Sequence, residues 1–434
     1  MTHALVRLAA VLACASALNG CAPPRVQTWS APALADLREV AASTTAEGLP
    51  AETAALAELD TFAARAASDP AAAAQLDVAA DALYASLANA FARGAADPAI
   101  ADPDWRIPTN TAPDMAELDA QRAAGALPST TLRALLPHSA DYQRLREALA
   151  AVTAEAPGAV DARGLTRELR LLRIRANLER WRWLPRDLSA TRLEVRVPQM
   201  EVALHRAESP MRVHAVIVGA RATPSPSFAA ELRSVTLNPT WTPPSSILVT
   251  ELLPRFRRDP GLADREGFDV VDADGAIVAA AAIDWNARPF PYQLRQRAGA
   301  SNALGRVRFN LPNPFAVYLH DTPNRALFAR SDRALSHGCI RVENAVGLAE
   351  AVLDAPEWRS AEIEAAIETG ETRTIALVHP VSIYVLYLTA AASGDGIAYF
   401  DDLYRRDERL MRALDAPDAA LVAGLDQATT TCPS

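Results

Sequence analysis

The spacing of apolar residues changes near Thr191, and that change constrains the fold more than any other feature of the chain. Before it, the spacing is helical. Asp69-Pro70 reads as a cap followed by a first-turn proline, after which Leu76, Leu83, Tyr84, Leu87 and Phe91 recur along one stripe. A second helix is predicted after Ser139, with Tyr142, Leu145, Leu149 and Val152 in register. A third carries Leu171, Ile174, Leu178 and Trp181 until Pro185 stops it. After Thr191 the period is two. Leu193, Val195 and Val197 alternate, as do Met200, Val202 and Leu204, and strand signals recur at 213–218, 234–237, 268–271, 307–311, 315–319, 374–378 and 383–388. Short helices are predicted at 246–257, 345–353 and 361–369. The expected class is α+β, a helical domain over 51–185 followed by a β-rich domain over 190–400, with a C-terminal helix and tail over 401–434.

The N-terminus carries Arg7, an apolar run from Leu8 to Leu18, and then Leu18-Asn19-Gly20-Cys21, which reads as an export signal over residues 1–20. Its end resembles a bacterial lipobox. That resemblance makes Cys21 the first mature residue and the lipid attachment site, and Ala22 beside it fits sorting to an outer membrane. Residues 21–50, rich in Ala, Pro, Ser and Thr, are expected to form a flexible tether. A net charge of −9 excludes a general nucleic-acid binder, which needs clustered cations against phosphate. Arg167, Arg170, Arg173, Arg175, Arg180 and Arg182 crowd the third helix and are expected to form a solvated face paired with acids. Of the four cysteines, Cys14 leaves with the signal and Cys21 is acylated, so Cys339 and Cys432 make no disulfide framework.

Chemistry is concentrated in one short stretch. Ser336-His337-Gly338-Cys339-Ile340-Arg341-Val342, with His320-Asp321-Thr322-Pro323 ahead of it, brings a thiol and two imidazoles close in sequence. A thiol with an ordinary pKa of about 8.5 is mostly protonated at neutral pH, so it needs a base to become a nucleophile. His320, at the end of the strand-like run 315–320, is the better candidate, because residues two apart in an extended segment lie side by side and His337 cannot easily face Cys339. Trp181, Trp183 and Trp241 read as core or interface aromatics, and His379 before Pro380 as structural. No metal-type spacing links His320, His337 and Cys339, so no metal or other cofactor is expected.

The paired stretches YLHDTP (Tyr318 to Pro323) and SHGCIRV (Ser336 to Val342) resemble those of the L,D-transpeptidases with a YkuD-type catalytic domain. ERWRWLP (Glu179 to Pro185), VIVG (Val216 to Gly219), LNPTWTPPSSI (Leu237 to Ile247), NALGRVRF (Asn302 to Phe309) and LFAR (Leu327 to Arg330) are similar to the large multidomain periplasmic branch of that family. The resemblance implies that the helical half is a scaffold domain and that about 244–305 is a cap-like insertion. The peptidoglycan-binding module of many relatives is expected to be lacking, since 156–171 has no room for it. It implies a Cys339 nucleophile, a His320 base, and peptidoglycan stem peptides as substrates, with release of D-alanine and a 3→3 cross-link. The amides of His337, Gly338 and Cys339 are candidate oxyanion donors, with Ser336 and Asp321 in support; the carbonyl beside the base, rather than the Asp321 carboxylate, is expected to orient it. Arg341 is a candidate carboxylate fork and Tyr318 a groove residue. Water or a protein lysine as acceptor, or a non-catalytic wall-binding lipoprotein, stay open, as does the oligomeric state. The resemblance further implies an envelope location, acylation by carbapenems, and wall synthases as partners.

Overall fold

The computed structural model describes residues 29–206, 209–394 and 396–415, which divide between two compact units. One comprises residues 29–45, 51–91 and 113–135; the other comprises 46–50, 92–112 and the described residues from 136 onward. The export signal, Cys21 and Cys432 lie outside the described residues. Among those described, no helix is long and apolar enough to cross a membrane.

The first unit is helical, built from α1 (Ala31–Ala42), α2 (Thr53–Ala66), most of α3 (Pro70–Arg93), α4 (Met115–Ala123) and α5 (Pro128–Arg133). The tether expected over 21–50 is corrected here over its described part, residues 29–50. Ser30 caps α1 by accepting from the Ala33 amide, and Leu34, Leu37 and Val40 recur at helical spacing on its buried face. Trp29 packs edge-on against Tyr84 at 5.6 Å, and the Asp36 carboxylate takes the amide and hydroxyl of Ser129. The composition of a linker therefore conceals a packed helix.

The second unit holds α6 (Ala140–Thr153) and α7 (Arg167–Trp183) together with the strands, so the unit boundary falls inside the helical half rather than at its end. Eight strands close on themselves. They are β1 (Arg192–Arg196), β2 (Glu201–Arg206), β3 (Ser209–Gly219), β4 (Ser227–Leu237), β7 (Val307–Asn310), β8 (Leu319–His320), β9 (Ile340–Val342) and β10 (Arg373–Leu386), leaving β5 (Phe268–Val271) and β6 (Gln293–Gln296) as a separate hairpin. The order β4-β10-β1-β2-β3-β9-β8-β7 returns to β4 through the β4–β7 pairing, and only β10–β1 and β9–β8 are parallel. Alternation fills the interior: Val195, Val202, Val216, Val235, Phe309, Leu319 and Ile340 are fully buried in one cluster. α8 (Ala345–Leu353) and α9 (Ser360–Glu368) join it through Leu348, Ala349 and Ile363. The two strand signals at 374–378 and 383–388 are one strand whose pairing shifts between Ala376 and Val381, so Pro380 falls at an irregularity where no ladder donor is required.

Between β4 and β7 the chain makes an insertion with its own core. A helical run, Ser245–Ile247 then Leu248–Leu252 in π geometry then Leu253–Arg258, sits with the β5–β6 hairpin around Phe256, Phe268, Trp285 and Leu294. Phe256 meets both Phe268 and Trp285 at 5.5 Å.

The solvated arginine face expected on α7 is also corrected. Arg170, Arg173, Arg180 and Arg182 are buried, with acids supplied both by the helix itself and by other parts of the second unit. Arg170 pairs with Glu155 at 2.6 Å, Arg180 with Asp407 at 2.6 Å, and Arg182 with Glu179 at 2.7 Å. Asp407 lies on α10 (Arg406–Asp415). Arg182 also donates to the Tyr142 hydroxyl and the Glu47 carbonyl, so the charge is buried with its hydrogen bonds satisfied.

Candidate active site

Strand register builds the site. β9 runs parallel to β8 with Ile340 beside Leu319 and Arg341 beside His320, while β7 runs antiparallel on the other side with Arg308 beside His320. The Ile340 amide donates to the Tyr318 carbonyl at 3.1 Å, which carries the register back to Cys339 beside Tyr318. Neighbours across paired strands point to the same side, and side chains alternate along each strand. Leu319, Ile340, Val342 and Phe309 fill the interior, so Tyr318, His320, Cys339, Arg341 and Arg308 share the outer face. Instead of the strand predicted over 315–319, an Asn313-centred turn leads into β8, with Asn313 Oδ1 accepting from the Phe315 and Val317 amides and Ala316 at φ 53°.

His320 is 4% exposed, and its Nδ1 lies 2.5 Å from the Asp321 carbonyl. A carbonyl only accepts, so Nδ1 carries the proton and Nε2 keeps its lone pair, the tautomer a base requires. Burial, with help from the Arg341 and Arg308 guanidiniums, lowers the imidazole pKa to about 3, against the opposing pull of the Asp321 and Leu304 carbonyls. The Asp321 carboxylate does other work: it accepts from the Arg306 amide at 2.9 Å and pairs with Arg325 at 3.3 Å.

Cys339 is partly buried and unbridged. Burial pushes its thiol up, against the lowering effect of the Tyr318 amide and of Arg341. No hydrogen bond joins the sulfur to the imidazole in this state, so thiol and imidazole rest as a neutral pair. Tyr318 is held high, near 12, by burial and the neighbouring Cys339, while a Trp241 hydrogen bond opposes the rise. Arg341 is depressed by burial, and its Nε has no hydrogen-bond partner.

The loop before the thiol is tightly braced. Gly338 has φ 103°, a left-handed conformation that suits glycine. Its amide donates to Ser336 Oγ at 3.1 Å, Ser336 Oγ donates to the Cys339 carbonyl at 2.5 Å, and Ser225 Oγ donates to the Gly338 carbonyl at 2.8 Å. Of the three expected oxyanion donors, the Gly338 amide is therefore committed elsewhere. The His337 and Cys339 amides have no protein acceptor among the described residues. His337 turns away from the thiol and meets Glu251 of the insertion at 2.6 Å, with both side chains about half exposed.

Sequence reasoning missed Glu251, Ser225 and Arg308. Alternation in Val307-Arg308-Phe309-Asn310 puts Arg308 on a polar face, but only strand pairing reveals which residues share it.

Residues 190–375 match the YkuD model, described as the L,D-transpeptidase catalytic domain, and residues 27–149 match the Scaffold domain model. A Haemophilus influenzae protein named "Putative L,D-transpeptidase" is 34% identical over 218 residues, which cover 50% of this chain and 44% of that protein. The chain thus spans less than half the length of this curated relative. The solved structure of the Ldtfm-avibactam carbamoyl enzyme aligns with 57% of this chain and 81% of its own, at 9% identity and a TM-score of 0.23, a likeness too slight to carry an argument.

Proposed function

Given that residues 190–375 belong to the L,D-transpeptidase (YkuD) catalytic family, we propose that this chain is a peptidoglycan L,D-transpeptidase of the cell envelope, with Cys339 as nucleophile and His320 as base. As sulfur attacks the carbonyl of the third residue of a tetrapeptide stem, Nε2 of His320 takes the thiol proton. Collapse breaks the C–N bond, the proton passes to the departing D-alanine nitrogen, and the acyl group stays on sulfur as a thioester. The side-chain amine of a second stem then gives a proton to Nε2, attacks the thioester and frees the thiol, leaving a 3→3 cross-link. The His337 and Cys339 amides stabilise the oxyanion, Ser336 and Gly338 fix the loop that presents them, and Arg341 and Tyr318 line the groove. Cys21 carries the lipid that holds the enzyme at the outer membrane, within reach of the wall and its synthases.

The register that places Cys339 and His320 on one outer face, with Nδ1 tied to the Asp321 carbonyl, carries this reading. Incubating purified sacculi with the mature chain and analysing muropeptides by mass spectrometry tests it. Dimers joined between third residues, lost with Cys339→Ala, are expected. Tripeptides alone would assign water as acceptor, wall-linked protein would assign a protein lysine, and unchanged sacculi would overturn the proposal. Intact mass should also show a carbapenem adduct on the wild type that Cys339→Ser largely loses.

A further inference from the structure

The loop that presents the thiol is held by a second loop, residues 220–226, which joins β3 to β4. The Ser336 carbonyl accepts from the Ala220 amide at 2.8 Å and from Thr223 Oγ1 at 2.9 Å, and the Gly338 carbonyl accepts from Ser225 Oγ at 2.8 Å. Each of those carbonyls shares a planar trans peptide unit with the amide of the next residue, so Ser336 C=O is coupled to His337 N–H and Gly338 C=O to Cys339 N–H. The two bonds of such a unit point in opposite directions. A donor that fixes the carbonyl therefore fixes the amide behind it, and both the His337 and the Cys339 amides are turned away from 220–226. The peptide unit between them is not held from that loop, and its Gly338 amide is taken by Ser336 Oγ at 3.1 Å.

Ser225 is fully buried, and its hydroxyl has one use for its proton: Oγ accepts from the Gly219 amide at 3.0 Å, which leaves the proton to the Gly338 carbonyl. A carbonyl bonded in this way polarises its own peptide unit and strengthens the Cys339 amide as a donor. The 220–226 loop is pinned in turn from the C-terminal segment. The Tyr404 hydroxyl donates to the Gly219 carbonyl at 2.7 Å and accepts from the Ser225 amide at 3.3 Å, which clasps the two ends of the loop together. Arg406, also buried, donates to the Ser225 carbonyl at 3.1 Å and to Ser227 Oγ at 2.9 Å. Gly219 allows the clasp to close, since a Cβ there would lie 2.3 Å from the Thr223 carbonyl oxygen and 2.5 Å from the Ser225 nitrogen.

We propose that Thr223 and Ser225 are positioning residues for the oxyanion site: through the Ser336–His337 and Gly338–Cys339 peptide planes they aim both amides at the oxygen of the carbonyl that Cys339 attacks, and Tyr404 is the post that holds them. This rests on the transpeptidase reading and adds to it three residues remote from the thiol in sequence.

The test follows two reactions of Cys339 in the mature chain by peptide mass. Acylation by a carbapenem passes through a tetrahedral oxyanion, whereas alkylation by iodoacetamide is a displacement at saturated carbon and forms none. Thr223→Val and Ser225→Ala should each slow acylation by about tenfold or more, short of the roughly hundredfold that outright loss of an oxyanion donor costs, while alkylation stays within about twofold. Thr223→Ser keeps the hydroxyl and should restore acylation, and Tyr404→Phe should act in the same direction as Ser225→Ala. The two rates are compared within each variant, so a smaller folded fraction does not obscure the result, and the half-buried Thr223 keeps the test open should Ser225 tolerate no change. Parallel slowing of both reactions, or unchanged acylation in Thr223→Val and Ser225→Ala, overturns the inference and leaves the transpeptidase reading intact. A wild-type Cys339 that alkylates but never acylates overturns both.

Discussion

Replacing His320 with Gln should make the β-barrel more tolerant of acid, although it removes the proposed base. The folded imidazole binds a proton only near pH 3, while an unfolded one does so near 6.5. Above 6.5 both are neutral and the histidine contributes no pH dependence. As pH falls below 6.5 the unfolded chain gains a proton that the folded chain refuses, so stability is lost progressively until about pH 3. The full loss is about 5 kcal/mol at ~1.4 kcal/mol per pH unit, and about 3 kcal/mol of it falls between pH 6.5 and 4. Glu194 adds a second acid loss that the variant retains. Burial alone would raise its carboxyl, but His205, Arg196 and Arg192 outweigh burial and hold it near 2, so its contribution fades from pH 4.5 downward. Urea unfolding of the full chain at several pH values, followed by deuterium exchange of β8 and β9, separates the two terms. The gap between wild type and His320→Gln should shift by about 3 kcal/mol in favour of the variant between pH 7 and 4. Parallel pH profiles would falsify the buried neutral imidazole.

Four other perturbations have defined outcomes. Gly305→Ala forces a side chain onto φ 61° and sets its Cβ 2.6 Å from the Asp321 carboxyl and the Thr322 amide; it should cost roughly 2–4 kcal/mol and slow acylation by moving the carbonyl that orients His320, whereas an unchanged Tm counts against that coupling. Glu179→Gln leaves Arg182 buried without its charge partner and should cost about 3–5 kcal/mol by urea unfolding; a loss under 1 kcal/mol contradicts the buried pair. Glu251→Gln should change stability by less than ~1 kcal/mol, because the His337 pair is half exposed, yet should quicken amide exchange across 245–258; unaltered exchange means that the pair does not hold the insertion. In histidine-labelled protein, Arg341→Gln should raise the His320 pKa from about 3, and Arg308→Gln should raise it less, since Arg341 has the larger effect; NMR titration showing no movement in either removes the guanidiniums as a cause.

The β-rich half was legible because its strands bury one face: Leu193, Val195 and Val197 alternate in sequence and lie side by side in the core. Cys339 and His320 stood out as candidates because both sit in short, residue-specific stretches, and strand pairing puts them on one face. What was hidden depended on partners remote in sequence. The arginines of α7 looked solvated because Glu155 and Asp407 give no local sign of approaching them. The helix at 31–42 was hidden by alanine and proline, although Leu34, Leu37 and Val40 held the helical spacing. Arg308 escaped notice because alternation reveals which side of its strand a residue occupies, but not which strands lie beside it. That pairing is set by closure of the barrel, through β4–β7 contacts between residues about 70 apart.

The resting site is arranged against its own chemistry, and this bears on how it would work. Burial raises the Cys339 thiol while burial and two guanidiniums lower His320, so proton transfer from sulfur to imidazole is uphill in the free enzyme. A neutral thiol reacts slowly with oxidants, so burial also shields the unpaired Cys339. The same guanidiniums that lower His320 are groups an anion would neutralise. An anion docked beside Arg341 and Arg308 would cancel much of the positive field at His320 and favour the imidazolium. Binding of an anionic group and a rise in the basicity of His320 would then be one electrostatic event.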